Sequence, residues 1–225
     1  HNEKNLMPSF TNILKSFIVF TDRKKILMDH RYQSIEGWFD WPSLYKKMIT
    51  KYDHAKFAEV GVWKGKSLCF LAVEILKQNK KITIEAIDNF PYLKYVYPSN
   101  KDAPQELRKN IENLDCINYV NKESLEASQL YPDEHFDFVF LDSTHSQEFV
   151  EKEIKAWFPK IKIDGYLGGH DYVSLDELDY NLAVGVGRAV TKIFKHRIKL
   201  YAGEEDNKGR IYGPSWLHKK TSRQL

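Results

Sequence analysis

The chain has 225 residues, with 34 lysines and arginines against 31 aspartates and glutamates, giving a formal net charge of +3. This length suits one α/β domain, and a hydrophobic content of 42% indicates a folded globular protein. So small and dispersed a charge excess argues against nucleic-acid and membrane partners. No apolar stretch approaches the roughly 18 residues that span a membrane. We therefore expect a soluble protein of the reducing cytoplasm, where two unpaired cysteines are ordinary.

From residue 55 the sequence alternates short apolar runs with helical patterns, which is typical of βαβ units and a mostly parallel sheet. The parallel strands are predicted at Lys56–Val62, Ile82–Ile87, Ile117–Val120, Phe136–Leu141 and Gly165–His170. Two closing segments, Ile198–Tyr201 and Arg210–Leu217, predict an antiparallel hairpin at the sheet edge. The predicted fold is a doubly wound, Rossmann-like sheet of seven strands with helices on both faces.

Amphipathic helices are predicted between these strands. After the first strand, apolar residues recur at i, i+3, i+4, i+7 and i+8 from Leu68, and similar spacing starts at Val150 and at Val186. Asp102 followed by Pro104 predicts a capped helix start after the second strand.

The first 54 residues are rich in aromatic side chains. We expect residues 1–54 to form a helical segment over the active-site edge of a single catalytic domain, residues 55–225. Trp38 and Trp41 are expected either to pack or to wall a substrate pocket, because ligands of such folds bind outside the carboxyl ends of the strands. Tyr172, after the fifth strand, has the same two interpretations. The aromatic segment is equally compatible with a contact between copies in a homo-oligomer.

The most informative stretch runs from Glu59 to Ser67, where the first strand passes into a helix. Open α/β sheets bind nucleotides at this position. Gly61 allows a sharp turn, and Gly65 allows the helix to start close to the strand. Ser67 and the helix amides could hold a carboxylate, and Glu59 an amine. The loop lacks both the dinucleotide and the Walker pattern.

Asp88 stands at the tip of the second strand. At this position a carboxylate suits the two hydroxyls of a ribose, although it could also cap the following turn.

The loop Glu59-Val60-Gly61-Val62-Trp63-Lys64-Gly65-Lys66-Ser67 resembles the cofactor loop of class I S-adenosylmethionine-dependent methyltransferases. It is most similar to the catechol and caffeoyl-CoA O-methyltransferase type, and the resemblance covers roughly residues 36 to 220. Trp63 replaces the middle glycine of many class I enzymes, as is usual in the metal-dependent group. The resemblance implies S-adenosylmethionine as cofactor, bound by Glu59, Gly61, Val62, Trp63, Gly65, Ser67, Asp88, Ser124 and Asp142.

Two further clusters follow the fourth and fifth strands. Asp142 and Asp171 are expected on the same rim as the Gly61 turn, because neighbouring parallel strands end at one edge of the sheet. Two carboxylates near an imidazole suit Mg²⁺, Mn²⁺ or a similar cation. His145, with an ordinary pKa near 6.5, suits a general base. Each of these residues could instead satisfy a turn or a helix start.

These clusters resemble the D-x-x-H and H-D-Y motifs of macrolide and aminocoumarin sugar O-methyltransferases. The resemblance implies that Asp142, His170 and Asp171 hold a divalent cation, and that His145 and Asp142 are catalytic. One position departs from the pattern, because Thr144 stands where the sugar enzymes often place a second acid. Either His145 replaces that acid or the cation is absent.

The predicted function is methyl transfer from S-adenosylmethionine to an oxygen of a small molecule such as a sugar or polyol, with or without a metal. A nucleic-acid methyltransferase is disfavoured, since the chain lacks a basic stripe and the Asn-Pro-Pro-aromatic motif. Two alternatives remain on the same fold. One is a nucleoside-binding protein without catalysis, and the other is a hydroxylase-like relative from antibiotic tailoring.

Overall fold

A computed structural model describes residues 32–90, 102–173, 184–206, 208–223 and 225. These residues belong to one compact unit, Tyr32–Leu225. The predictions made for residues 1–31 lie outside the described residues. Within the described ranges, no helix combines the length and apolar character that crossing a membrane requires.

Within the described residues, seven strands form one sheet in the order β3-β2-β1-β4-β5-β7-β6. Strands β1 to β5 are parallel, and β7 runs antiparallel to both β5 and β6. This arrangement confirms the predicted seven-stranded Rossmann-like sheet with its closing hairpin. The strands are β1 His54–Val60, β2 Lys81–Ile87, β3 Ile117–Val120, β4 Phe136–Leu141, β5 Ile161–Gly169, β6 Lys199–Tyr201 and β7 Ser215–Lys219.

Helices cover both faces of the sheet. Every residue of β4 is buried, as expected for a central parallel strand with a helical layer on each side. The helices are α1 Pro42–Lys51, α2 Lys66–Lys77, α3 Ala103–Ile111, α4 Ser124–Ser128, α5 Gln147–Trp157 and α6 Val184–Phe194, with 3₁₀ turns at Tyr32–Ser34 and Phe158–Lys160. Helix α1 packs against α2, while α5 packs against both α4 and α6.

Several predicted boundaries were wrong. β1 ends at Val60, and Val62 already lies in the following turn. β5 starts at Ile161, four residues before the predicted Gly165, and it includes Asp164, whose φ is +66°. The register between β4 and β5 shifts in this part of the pair. β7 starts at Ser215, five residues after the predicted Arg210. Apolar runs locate strands well, but bulges and irregular ends depend on the partner strand.

The loop between β4 and α5 carries the predicted general base. Ser146 caps α5 by accepting a hydrogen bond from the Phe149 amide at 3.4 Å, so His145 lies one residue before the cap. Asp102 stands at the N-cap position of α3 as predicted, but its side chain makes no capping hydrogen bond.

Candidate active site

The turn after β1 lies directly against the end of β4. Gly61 has a φ of +86°, and a Cβ there would overlap the carbonyl oxygen of Asp142. Hydrogen bonds close the same junction, because the Gly61 amide donates to Ile87 at 2.8 Å and the Asp142 amide to Val60 at 2.7 Å. The residue therefore has to be glycine, and the predicted cofactor turn is next to the predicted chemical site.

Asp88 holds the cofactor turn in place. Its Oδ2 accepts hydrogen bonds from the amides of Val62 at 3.0 Å and Trp63 at 2.9 Å, and its Oδ1 accepts one from Phe90 at 2.8 Å. Burial raises the pKa of this carboxyl, although the three amides act in the opposite direction. The sequence predicted a ribose contact here, and the structure adds a second task, the positioning of the turn.

Glu59 and Ser67 are bonded to each other beneath the turn. The Ser67 hydroxyl donates to Glu59 Oε1 at 2.5 Å, and Glu59 is fully buried. Its Oε2 has no partner among the described residues, and burial raises the pKa of Glu59 to about 7. The predicted contacts of these two side chains with an amine and a carboxylate stay predictions.

The segment before α1 is attached to the cofactor turn. Trp38 is 53% exposed to solvent, and its ring stacks on that of Trp63 with 4.7 Å between the ring centroids. Lys64 pairs with Glu36 at 2.7 Å, and Lys66 donates to the Gly37 carbonyl at 3.2 Å. Trp38 is thus an exposed aromatic surface beside the predicted cofactor site.

Imidazole and carboxylate groups converge at the ends of β4 and β5. His145 Nε2 lies 2.7 Å from Asp171 Oδ2, and His170 Nδ1 lies 3.1 Å from Asp171 Oδ1 and 3.9 Å from Asp142 Oδ1. One ligand atom from each of Asp142, His170 and Asp171 falls within 4.8 Å of the others. The structure therefore brings together all four residues that the sequence singled out for metal binding and proton transfer.

The charges in this cluster shift each other's pKa values. Burial alone would lower the pKa of His170, but Asp171 and Asp40 outweigh it and raise the pKa to about 10. The hydrogen bond that His145 donates to Asp171 likewise raises the pKa of His145. Burial favours a higher pKa for Asp171, yet the two imidazoles lower it below its ordinary value. Burial raises the pKa of Asp142.

A small pocket open to solvent lies beside this cluster. Sequence reasoning missed two of its lining residues, Glu153 and Trp216. Glu153 is buried, its pKa is raised to about 7 by burial, and it accepts a hydrogen bond from Ser143 at 2.6 Å. The Trp216 indole nitrogen has no partner in the described part of the chain. The cavity is lined by Leu141, Asp142, Ser143, Thr144, His145, Val150, Glu153, His170, Asp171, Val186 and Trp216.

Asp40 is a third residue that the sequence analysis missed. It is 1% exposed, and its Oδ1 lies 2.9 Å from His170 Nε2. The two residues are 130 positions apart, so no local motif or spacing could have linked them.

Three other predicted contacts have defined neighbours in the structure. Trp41 is 2% exposed and packs against the His170 ring at 4.3 Å, which favours packing over direct contact with a substrate. Tyr172 bonds Thr191 through its hydroxyl at 3.0 Å. Ser124 is nearly buried and accepts a hydrogen bond from Trp157 at 3.1 Å. The ligand contacts predicted for these residues stay predictions.

Solved structures with this fold include several methyltransferases. Cofactor-bound Rv0187 from MTB is 15% identical, with a TM-score of 0.61 over 96% of this chain and 100% of that one. An O-methyltransferase from Bacillus cereus in complex with SAH is 16% identical, with a TM-score of 0.58 over 96% and 94%. The O-methyltransferase NovP is 15% identical, with a TM-score of 0.54 over 80% and 79%. No curated protein matches the chain.

The parallel sheet, the glycine turn after β1 and the acidic rim after β4 and β5 define a class I methyltransferase fold. The family model described as "Methyltransferase domain" matches residues 58–172, which is half of the chain and includes both the cofactor turn and the rim. The chain belongs to this methyltransferase family. The resemblance seen in the sequence and the predicted enzyme class are thereby confirmed.

Proposed function

We propose that this methyltransferase transfers the methyl group of S-adenosylmethionine to a hydroxyl oxygen of a small neutral polyol or sugar. One observation carries the proposal. The Asp142 backbone packs on Gly61, while the Asp142 side chain belongs to the cluster with Asp171 and His170. A nucleoside held by the Gly61 turn would lie next to an acceptor held at the acidic rim, as a direct transfer requires.

The cavity supports a neutral, hydroxyl-bearing acceptor. Its polar lining consists of carboxylates, imidazoles, hydroxyls and one indole N–H, and neither lysine nor arginine is among the described lining residues. Carboxylates accept hydrogen bonds from hydroxyl groups. A phosphate or another anion would instead face Asp142, Glu153 and Asp171. This lining disfavours a phosphorylated acceptor.

The donor set fits a hard divalent cation such as Mg²⁺ or Mn²⁺. Asp142 and Asp171 offer carboxylate oxygens and His170 offers Nδ1, and such oxygen-rich sites suit these ions. When bound there, the cation would act as a Lewis acid and lower the pKa of an acceptor hydroxyl.

His145 would take the proton of that hydroxyl. Its Nε2 is held by Asp171 Oδ2 at 2.7 Å, which orients the ring and leaves Nδ1 as the nitrogen that accepts a proton. The acceptor oxygen forms a bond to the methyl carbon as the bond between carbon and the sulfonium sulfur breaks. The products are the methyl ether, S-adenosylhomocysteine and a protonated His145.

Calorimetry with S-adenosylhomocysteine, with and without Mg²⁺, tests the cofactor, and transfer of labelled methyl from S-adenosylmethionine to a panel of acceptors tests the reaction. We expect saturable binding, and methylation of neutral sugars or polyols that a chelator suppresses and that exceeds methylation of the matching sugar phosphates. No nucleoside binding under any metal condition would contradict the proposal. Binding of S-adenosylhomocysteine without methyl transfer would favour a non-catalytic protein. Turnover that needs iron and dioxygen would favour a hydroxylase.

A further inference from the structure

Asp40 connects three parts of the molecule that are distant in sequence. Its Oδ1 bonds His170 Nε2 after β5, and its Oδ2 accepts hydrogen bonds from the amides of Tyr212 at 2.6 Å and Gly213 at 3.0 Å. The Asp40 carbonyl accepts a further hydrogen bond from the Glu204 amide at 2.7 Å. Both oxygens of this buried carboxylate therefore accept hydrogen bonds from the protein.

The hydrogen bonds around His170 show that Nε2 carries a hydrogen. Nε2 also lies 3.2 Å from the Gly213 carbonyl oxygen, which can only accept a hydrogen bond. Nε2 must therefore carry a hydrogen and donate it to Asp40 and Gly213. The opposite nitrogen, Nδ1, faces Asp171 and Asp142. Trp41 packs on the ring, which is 3% exposed, so the ring cannot turn freely.

We propose that Asp40 is the positioning residue of the cation site, which orients His170 so that Nδ1 points at the ligand position between Asp142 and Asp171. The inference rests on the proposed function, because it concerns the metal of that reaction. Ligating histidines commonly donate their second N–H to a carboxylate, which selects the tautomer and the ring orientation. Asp40 supplies this carboxylate from a segment outside the sheet.

The variant Asp40→Asn tests this role with little change in volume. An asparagine has a single acceptor oxygen, so it cannot accept from both His170 and the amides of Tyr212 and Gly213. We expect it to bind Mn²⁺ about 10- to 100-fold more weakly than the wild type, the usual loss for such a partner. The measurement is a titration with Mn²⁺ alone, followed by electron paramagnetic resonance of the free ion.

Asp206→Asn is the matched control for a merely structural effect. Asp206 holds the same loop from its other side, by accepting hydrogen bonds from the amides of Lys208 and Arg210 and from the Tyr212 hydroxyl. It makes no hydrogen bond to His170 among the described contacts. If Asp206→Asn weakens Mn²⁺ binding as much as Asp40→Asn does, or if neither weakens it, the proposed role of Asp40 is wrong.

A measurement on the wild type covers the case in which Asp40→Asn does not fold. In the Mg²⁺-saturated protein, ¹⁵N resonances of the imidazoles should show His170 with hydrogen on Nε2 and none on Nδ1, and hydrogen on Nδ1 instead would overturn the inference. A wild type that binds neither Mn²⁺ nor Mg²⁺ would also overturn it, together with metal assistance. Binding of S-adenosylhomocysteine and chelator-resistant methylation would then still support the methyltransferase proposal.

Discussion

The carbonyl oxygen of Asp142 lies so close to Gly61 that a Cβ on this residue would overlap it. The two residues belong to neighbouring strand ends, and their close approach joins the cofactor turn to the acidic rim. A side chain at position 61 would separate the places proposed for the methyl donor and the acceptor.

Gly61→Ala is therefore expected to lower the free energy of unfolding by about 1 to 3 kcal/mol from steric overlap, in addition to the strain of a positive φ. Gly209→Ala is the control, because Gly209 also has a positive φ, +69°, but has open space around its Cβ position. It should cost only the strain, about 1 to 2 kcal/mol. Urea unfolding measures both, and equal losses in the two variants would contradict the overlap.

Asp88→Ala is expected to weaken binding of S-adenosylhomocysteine by about 10- to 100-fold. The carboxylate holds the Val62 and Trp63 amides, and hydrogen bonds to a charged group are worth about 1.5 to 3 kcal/mol each. Calorimetry measures the affinity. Asp53→Ala removes an exposed aspartate that pairs with Lys80 before β1, and it should leave the affinity unchanged. An Asp88 variant with the affinity of the wild type would remove this residue from the cofactor site.

His145→Ala is expected to reduce the rate of methyl transfer by about 10²- to 10⁴-fold, the usual contribution of a general base. Binding of S-adenosylhomocysteine should be unchanged, because the contacts of His145 are with the rim and not with the Gly61 turn. His135→Ala is the control, since His135 precedes β4 whereas His145 follows it. Rates are compared with the best acceptor of the panel, and a His145 variant that retains full activity would assign the proton transfer elsewhere.

Glu59→Gln is expected to change how stability depends on pH. Burial raises the pKa of Glu59 from 4.5 to about 7, so the folded protein holds a proton that the unfolded chain has released between these values. The wild type therefore loses stability as pH rises from about 4.5 to about 7. The glutamine variant has no carboxyl at this position, so it does not show this loss. The stability of the variant relative to the wild type should increase by up to about 3 kcal/mol, at about 1.4 kcal/mol per pKa unit.

Urea unfolding at pH 5 and pH 8 checks this difference. Glu148→Gln serves as the control, because Glu148 is exposed and its hydrogen bond with Lys152 lowers its pKa. The stability of Glu148→Gln relative to the wild type should not increase from pH 5 to pH 8. If the stability of Glu59→Gln relative to the wild type is the same at both pH values, the Glu59 carboxyl is already ionised in the folded protein at pH 5.

The order of the elements was readable from the sequence because it depends on local patterns. The buried run of β4 and the predicted bounds Ile117–Val120 of β3 agree with the structure, since apolar runs between turn residues are a property of neighbouring positions. The Gly61 turn was equally readable, because few residues other than glycine adopt its positive φ. Strand ends and bulges were less predictable, because they depend on the partner strand.

The amino-acid sequence by itself determined the sheet, the glycine turn and the acids and histidines that follow β4 and β5. Only the tertiary structure decided how they are connected, with Asp40 paired to His170 across 130 residues and Glu153 paired to Ser143. The physical reason is that secondary structure follows from periodicity along the chain, whereas a buried carboxylate takes whichever donor the folded chain brings to it. That pairing sets which nitrogen of His170 faces the rim.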